Sequence, residues 1–207
     1  MYDIENWDVV KRLDYEIPND TNHVYIPLVN KERTRLCMDY GNPKIEFDNQ
    51  FFFQRELDFI HKFTDYPWCP RIHSIDINKK TIFIDFTESC NNIIYTGRSL
   101  DDYCPNWKNQ LKTIIKDIEA KNVCKLTLQP HSFFIKDQQL YTFDFYASVE
   151  KDDAVLPVSV VKHVIGQKSE DRWLESTFGD YVDFSIFYKQ GIEKHIVEWP
   201  VQFTEIL

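Results

Sequence analysis

The residues of this chain with the clearest capacity for chemistry lie in the stretch 125–146, which reads KLTLQPHSFFIKDQQLYTFDFY. Two strand-like runs, SFFI and LYTF, are joined by the polar turn KDQQ, and the stretch closes on Asp144 between two phenylalanines. Asp144 either handles a phosphate or a metal ion, or accepts structural hydrogen bonds from backbone amides. Ser132 opens the hairpin, where its simplest role is to cap a turn. The stretch is therefore an ordinary surface hairpin or the remains of a phosphate-handling site.

The cysteines and histidines of the chain form no recognisable site. The histidines are scattered, and His131 and Ser132 are adjacent in a strand-like start, so they point to opposite sides and cannot form a nucleophile–base pair. The odd cysteine count and the lack of a C-x-x-C pair exclude a zinc ribbon and a disulfide framework. Buried free thiols are the predicted state of the five cysteines, Cys37, Cys69, Cys90, Cys104 and Cys124.

The bulk composition predicts a globular, cytoplasmic protein. The 207 residues are 43% hydrophobic and 28% charged, which is enough for one large domain or two small lobes. The net charge of −9 argues against nucleic-acid and anionic-membrane partners, because both require a positive surface. No apolar run approaches the roughly 18 residues that cross a bilayer. Five glycines beside 16 phenylalanines and 11 tyrosines suggest an A/T-rich genome, as many viruses have.

The first third of the chain is predicted to be rich in strands, with one helix. The helix should begin at Asp48 or Asn49 and end before Pro67. Its repeating positions, at spacings of three and four, are Phe52, Phe53, Glu56, Leu57, Ile60 and Phe63. Alternating or β-branched runs bounded by turn residues predict strands at 11–17, 23–29, 34–40, 71–77 and 81–86. The order is five strands with a helix after the third.

The rest of the chain is predicted to be mainly helical. Residues 87–98 resemble a connector, and 105–122 form the clearest amphipathic helix, which leads into the hairpin at 132–145. Helix-like stretches follow at 157–166, 170–178 and 180–199. This order fits neither βαβ alternation nor an all-β protein, and it suits an α+β chain of two lobes with a cleft between them.

This order of elements resembles the protein-kinase fold, and the hairpin makes the resemblance specific. The family's catalytic loop reads H-R-D-L-x-x-x-N, followed by two short strands and D-F-G. Here the frame is Lys125-Leu-Thr127-Leu-x-x-x-Ser132, then two short strands, then Asp144-Phe-Tyr146. The chain resembles a minimal, atypical kinase-like protein, such as a viral (phage) one.

The resemblance implies a bilobal kinase-like fold. A β-rich N-terminal lobe of five antiparallel strands and one inserted helix would span 1–86, and 87–98 would be the hinge. A shortened, mostly helical C-terminal lobe would span 99–207 and carry the hairpin. The Asp144 carboxylate would face the cleft between the two lobes.

The resemblance also implies the roles of four site residues. Asp144 takes the position of the family's magnesium-binding aspartate, and Glu56 that of the helix glutamate that pairs with a strand-three lysine. Ser132 takes the position of the metal-binding asparagine, and Glu88 lies where the adenine-contacting hinge would be. ATP and Mg²⁺ are the implied cofactors, with no bound cofactor as the alternative. For Glu56 the alternative is a solvated helix residue that sits among Arg55 and Asp58 and pairs locally.

The chain departs from the family at the residues that carry out the chemistry. Thr127 stands where the proton-accepting aspartate belongs, and a hydroxyl cannot act as that base near neutral pH. The strand-three lysine falls at Met38 or Asp39, which leaves Lys44 or Arg35 as the nearest cations. The turn at 18–22 has no glycine to let the backbone approach a phosphate closely.

These departures predict a pseudokinase, which acts by binding a partner or a nucleotide and is not expected to be an enzyme. One alternative is an atypical ATP-dependent phosphotransferase for a small molecule or a protein, with replacement groups such as Lys44 and Glu88. The other is a viral accessory or structural protein with no nucleotide site. The expected partner is a protein or a small molecule, with no nucleic acid or membrane involved, in the cytoplasm or the host cytoplasm.

Overall fold

A computed structural model of the protein describes residues 7–9, 24–42, 49–125, 127–151, 155–157, 181–183 and 199–200. The chain is α+β, with antiparallel sheets and few helices in this part. The helices are α1 (Asn49–Phe63), α2 (Cys90–Tyr95) and α3 (Trp107–Ala120). The strands are β1 (Asp8–Val9), β2 (Ile26–Val29), β3 (Arg35–Asp39), β4 (Ile72–Asp76), β5 (Thr81–Asp85), β6 (Glu88–Ser89), β7 (Val123–Lys125), β8 (Phe133–Lys136), β9 (Gln139–Thr142), β10 (Ser148–Glu150), β11 (Val155–Pro157) and β12 (Tyr181–Asp183).

The chain divides into two compact units. The first contains Met1–Trp107 and Pro130–Tyr146, and the second contains Lys108–Gln129 and Ala147–Leu207. The two units interleave along the sequence, whereas the lobes expected at 1–86 and 99–207 follow one another. The lobe boundaries and the hinge at 87–98 stay predictions.

The first unit is built on a five-stranded antiparallel sheet in the order β1-β2-β3-β5-β4. Its central strands, β3 and β5, carry side chains that are buried on both faces, as their nearly unbroken apolar sequences require. The predicted strands at 23–29, 34–40, 71–77 and 81–86 are confirmed by β2, β3, β4 and β5. The predicted strand at 11–17 lies outside the described residues, and β1 occupies the edge beside β2.

Helix α1 follows the third strand of this sheet, as predicted. All six of its periodic positions are buried, because the spacing of three and four places them on one face. The two basic residues His61 and Lys62 lie in the last turn, where positive charge is favourable near the exposed carbonyls. The helix ends at Phe63, before Pro67.

The segment predicted as a connector at 87–98 contains regular structure instead. Strand β6 pairs with β8, and α2 follows at once. The Ser89 hydroxyl accepts a hydrogen bond from the Asn92 amide at 3.2 Å, which caps the helix, while Cys90 and Ile93 are buried beneath it. This short helix could not be predicted, because its six residues are too few to show the helical spacing of apolar side chains.

The hairpin predicted around 132–145 is confirmed by β8 and β9, which pair in register from Phe133 and Thr142 to Lys136 and Gln139. Its turn is tighter than the predicted KDQQ. Only Asp137 and Gln138 form it, with φ values of 51° and 61°. Two successive positive φ angles are typical of the two-residue turns that match the twist of a hairpin.

Aromatic packing joins the residues after this hairpin to the end of α1. The Phe145 ring stacks on the Phe63 ring with a centroid distance of 5.5 Å, and the Trp68 ring lies 5.2 Å from the Phe63 ring. The Thr142 amide also donates to the Trp68 carbonyl at 3.2 Å. These contacts fix the direction of the chain as it leaves the hairpin.

The second unit contains α3 and two small antiparallel pairs. The predicted helix at 105–122 is confirmed by α3, whose apolar side, including Leu111 and Ile118, is buried. Strand β10 pairs with β7, and β11 pairs with β12. The helices predicted at 157–166 and 180–199 are wrong at Pro157 and at 181–183, which belong to strands, and Trp199 lies in no helix. The other residues of these stretches, like 170–178, lie outside the described part. β-Branched and aromatic residues such as Val155 and Tyr181 favour strands, and short apolar runs do not reveal which state they adopt.

All five cysteines are buried with free thiols, as predicted. Burial and, to a smaller extent, the charge of the nearby Glu56 carboxylate raise the pKa of Cys69 to about 12, so this thiol is not a nucleophile. No helix in the described part of the chain is long and apolar enough to cross a bilayer.

Candidate functional site

Asp144 lies just after β9 and is fully buried in the first unit. Its carboxylate accepts two hydroxyl hydrogen bonds, one at Oδ1 from Tyr25 and one at Oδ2 from Ser132, whose Oγ is 2.8 Å away. The φ angle of Asp144 is 66°, in the left-handed region that only a few residue types adopt readily. Both carboxylate oxygens therefore accept hydrogen bonds from side-chain hydroxyls.

Glu56 is the second carboxylate of the site and is also fully buried. Its Oε2 accepts hydrogen bonds from the Tyr40 hydroxyl at 3.2 Å and from the backbone N–H of Tyr146 at 2.7 Å. The alternative of a solvated helix residue pairing with its neighbours is wrong. Glu56 occupies the buried face of α1, at a position that the apolar period had already indicated.

Three tyrosines surround these two carboxylates. The Tyr25 ring lies 5.1 Å from that of Tyr40 and 6.2 Å from that of Tyr146, measured between centroids. Burial raises the pKa of the Tyr40 hydroxyl well above its usual value, and the charges of Glu56 and Asp144 raise it further. The Tyr40 hydroxyl therefore stays protonated and acts as a donor.

The Ser132 side chain contacts Asp144 directly. Glu88 makes no contact with Asp144 or Glu56 that the structure shows. Glu88 lies on β6, and its Oε1 accepts hydrogen bonds from Arg98 Nη2 at 2.5 Å and from the Asn92 side chain. The Glu88 side chain is 30% exposed, so this ion pair is a surface feature of modest strength.

At the position that the kinase resemblance assigns to the strand-three lysine, this chain has residues that cannot contact phosphate. The Met38 side chain is fully buried in β3, opposite Ile82 in the register of β5. Asp39 accepts hydrogen bonds from the Gly41 amide at 3.1 Å and from Asn42 at 3.2 Å, and partial burial raises the pKa of its carboxyl. Arg35 lies at the other end of β3, and Lys44 lies outside the described residues.

In the second unit, Thr127 is held by a buried lysine. The Lys125 ammonium donates to the Thr127 hydroxyl at 2.7 Å and to the Thr127 carbonyl at 2.5 Å. Both side chains are almost completely buried. An ammonium hydrogen bond to the Thr127 oxygen makes that hydroxyl still less able to accept a proton.

The donor set around Asp144 does not fit a magnesium ion. Mg²⁺ prefers several oxygen ligands, commonly carboxylates and water, in an octahedron. Here both carboxylate oxygens already accept hydrogen bonds from hydroxyl groups, and the Ser132 hydroxyl is one of these two donors. Within the ranges that the structure describes, no group of three or more His, Cys, Asp or Glu side chains could hold a metal ion.

Sequence reasoning missed Tyr25, Tyr40 and Lys125. A buried tyrosine hydroxyl usually finds a hydrogen-bond partner, so a tyrosine in a core strand is a weak signal of a polar network. The signal does not name the partner, because Tyr25 and Asp144 are 119 positions apart. Lys125 lies in an apolar run, and nothing in that run shows that its ammonium turns inward.

A separate charged cluster links three strands of the first unit. Asp85, at the end of β5, contacts His73 Nε2 on β4 and Lys136 Nζ on β8, the latter at 3.3 Å. Partial burial acts to raise the pKa of Asp85, but the hydrogen bonds from His73 and Lys136 outweigh it, so the net pKa is lowered.

Asp85→Asn is expected to lower the free energy of unfolding at pH 7 by about 0.5–1 kcal/mol, because it removes a partly exposed ion pair. A carboxyl with a lowered folded pKa stabilises the fold above its unfolded pKa and loses that contribution as the pH falls through the folded value. The difference between variant and wild type should therefore shrink below the ordinary value of 3.8. Urea denaturation from pH 2.5 to 7 measures it, with the exposed Asp65→Asn as control; a difference that persists at pH 2.5 would contradict the ion-pair explanation.

No protein-family model matches the chain, and no curated protein matches it. Among solved structures, the chain is similar to the crystal structure of monomeric WbdD, with 11% sequence identity and a TM-score of 0.49. The similarity covers 86% of this chain and 46% of the other, so the chain spans about half the length of that protein.

Proposed function

We propose that this chain is a kinase-like protein of the pseudokinase type, which acts by binding a protein partner or a nucleotide and does not transfer phosphate. The proposal has two parts, a kinase-like arrangement of elements and a catalytic site that has been converted into internal structure. Each part is supported by different residues.

The kinase-like arrangement is supported by what surrounds Glu56 and Asp144. A five-stranded antiparallel sheet has α1 inserted after β3, and α1 carries Glu56 on its buried face. A later hairpin ends at Asp144, and the next residue, Phe145, stacks on Phe63 at the end of α1. The Tyr146 amide then donates to Glu56. Helix and hairpin are thus tied together at the two acidic positions that the resemblance singled out.

The observation that carries the pseudokinase proposal is the state of the two carboxylates. Phosphoryl transfer relies on positioning and charge neutralisation, which the family supplies with a lysine paired to the glutamate and metal ions held by the aspartate. In this chain Glu56 accepts from Tyr40 and a backbone amide, and Asp144 accepts from Tyr25 and Ser132. Glu56 Oε2 and both oxygens of Asp144 thus accept hydrogen bonds from the protein itself.

The catalytic-loop position supports the same proposal. The base that should accept the substrate proton is replaced by Thr127, whose hydroxyl accepts a hydrogen bond from the Lys125 ammonium. A neutral hydroxyl bound to a cation is a poor proton acceptor. Loss of the base, together with Met38 in place of the lysine, removes the contributions that accelerate transfer most.

The test is a phosphoryl-transfer assay on the full chain with millimolar ATP and either Mg²⁺ or Mn²⁺, with autophosphorylation, a generic protein substrate and ATP hydrolysis as readouts. We expect no transfer above the level of the Asp144→Asn variant. Asp65→Asn, which changes an exposed carboxylate, is the matched control. Robust transfer that Asp144→Asn abolishes and Asp65→Asn preserves would overturn the proposal.

A second candidate, an atypical phosphotransferase, is favoured by one observation. Lys125 supplies an ammonium at the start of the catalytic-loop motif, and it could neutralise phosphate charge once it leaves the Thr127 oxygens that it binds here. A melting series with ATP and Mg²⁺ or Mn²⁺ separates the candidates, because a ligand present at about 100 Kd stabilises the fold by about 2.7 kcal/mol. Stabilisation together with transfer supports the phosphotransferase. Stabilisation without transfer supports a nucleotide-retaining pseudokinase, and no stabilisation supports one that acts only through a partner.

A further inference from the structure

We infer that the Tyr25 hydroxyl takes the place of a divalent cation on Asp144, so that the tyrosine keeps this carboxylate closed to metal ions. We call the Tyr25–Asp144 hydrogen bond the tyrosine latch. The inference deepens the proposed function and rests on it, because the expectation of a metal at Asp144 comes from the kinase-like resemblance. The disagreement between that expectation and the donor set around Asp144 is its starting point.

The latch joins two parts of the first unit that are remote in sequence. Tyr25 immediately precedes β2 of the five-stranded sheet, and Asp144 lies two residues after β9 of the hairpin sheet. Only 4% of Tyr25 is exposed, and its ring lies between those of Tyr40 and Tyr146. The ring is therefore held in place by packing, and its hydroxyl reaches Oδ1 from a fixed direction.

The backbone around Asp144 is fixed as well. Asp144 has a left-handed φ angle, and the Thr142 hydroxyl donates to the Ser132 carbonyl at 3.1 Å, which ties the two ends of the hairpin together. On the other side of Phe145, the Tyr146 amide is bound to Glu56. The Asp144 side chain cannot turn away without breaking its hydrogen bonds from Tyr25 and Ser132.

The chemistry of the latch explains how a carboxylate can be buried here without a cation. An ionised carboxylate is costly to bury unless donors compensate it. The Tyr25 hydroxyl on Oδ1 and the Ser132 hydroxyl on Oδ2 supply two such donors, one for each oxygen. A cation that approached Oδ1 would have to displace the Tyr25 hydroxyl. The packing of the Tyr25 ring against Tyr40 and Tyr146 opposes that displacement.

The test measures Mn²⁺ binding directly and uses no nucleotide. Free Mn²⁺ gives an electron paramagnetic resonance signal that is lost on binding, and it is titrated against the full-length wild type and Tyr25→Phe. Phenylalanine keeps the ring and removes only the hydroxyl. We expect Tyr25→Phe to bind one Mn²⁺ at least about tenfold more tightly than the wild type, and Asp144→Asn in the Tyr25→Phe background to abolish the gain.

Tyr40→Phe is the matched control, because it removes a buried tyrosine hydroxyl from the other carboxylate of the same cluster. It should leave Mn²⁺ binding at the wild-type level. Wild-type binding that depends on Asp144 would overturn the latch, and so would a Tyr25→Phe variant that folds, as judged by near-ultraviolet circular dichroism, and does not differ from the wild type. Neither result requires phosphate transfer, so the latch can fail while the pseudokinase proposal stands. Transfer by the wild type overturns the pseudokinase proposal without altering the Mn²⁺ comparison.

Discussion

Replacing Asp144 with alanine is expected to lower the free energy of unfolding by about 4 kcal/mol. Each hydrogen bond to a charged group contributes about 1.5–3 kcal/mol when its partner would otherwise be buried and unsatisfied, and two are lost here. Alanine at a φ of 66° adds about 1 kcal/mol of backbone strain. Urea denaturation followed by tryptophan fluorescence measures the change.

Asp137→Ala is the control that separates the two contributions. Asp137 has a φ of 51° in the hairpin turn and is exposed. Its replacement by alanine therefore adds the strain of a left-handed backbone but leaves no buried donor without an acceptor. We expect about 1 kcal/mol for this control. Asp144→Asn keeps an oxygen acceptor and tolerates the left-handed region, so it should fall between the two. Equal losses for Asp144→Ala and Asp137→Ala would show that the Tyr25 and Ser132 hydrogen bonds contribute nothing.

Glu56→Ala is expected to lower the free energy of unfolding by about 3 kcal/mol. The change leaves the Tyr40 hydroxyl and the Tyr146 amide buried without their acceptor, and it opens a cavity on the inner face of α1. The same denaturation experiment measures the loss. Loss of this acceptor should also loosen the segment after the hairpin, which hydrogen exchange at the Tyr146 amide would report.

Asp58→Ala, on the exposed side of the same helix, is the matched control and should change stability by less than about 0.5 kcal/mol. Glu56→Gln keeps one oxygen for the two donors and is expected to cost about half as much as alanine. If Glu56→Ala cost no more than Asp58→Ala, Glu56 would behave as a solvated helix residue and the tie between helix and hairpin would not exist in solution.

These two predictions express one physical consequence of the site. A carboxylate that binds a metal or a lysine must be free to exchange partners during a reaction, whereas Glu56 and Asp144 each have fixed donors from the protein. Residues that serve chemistry are often costly to stability, and their removal frequently stabilises a fold. Here the opposite is expected, so the sign of the stability change is itself a measure of whether the site is structural.

The local elements of the chain were predictable where their pattern was long enough to be read. Helices α1 and α3 extend over several turns, so the spacing of their apolar residues identified both the helices and their buried faces. The predicted connector at 87–98 contains β6 and α2, and Pro157 and 181–183 belong to strands where helices were predicted. Helix α2 has only six residues, and β11 and β12 have three each, which is too short for either period to be distinguished.

The position of Glu56 among the periodic residues of a helix and that of Asp144 at the end of a hairpin could be predicted from the sequence, because both follow from local periodicity and turn chemistry. The hydrogen-bond partners of these two carboxylates became known only from the tertiary structure. Tyr25 reaches Asp144 across 119 positions, and the Tyr146 amide reaches Glu56 across 90. Such partners are set by which strands and helices become neighbours when the whole core packs, and no local pattern carries that information.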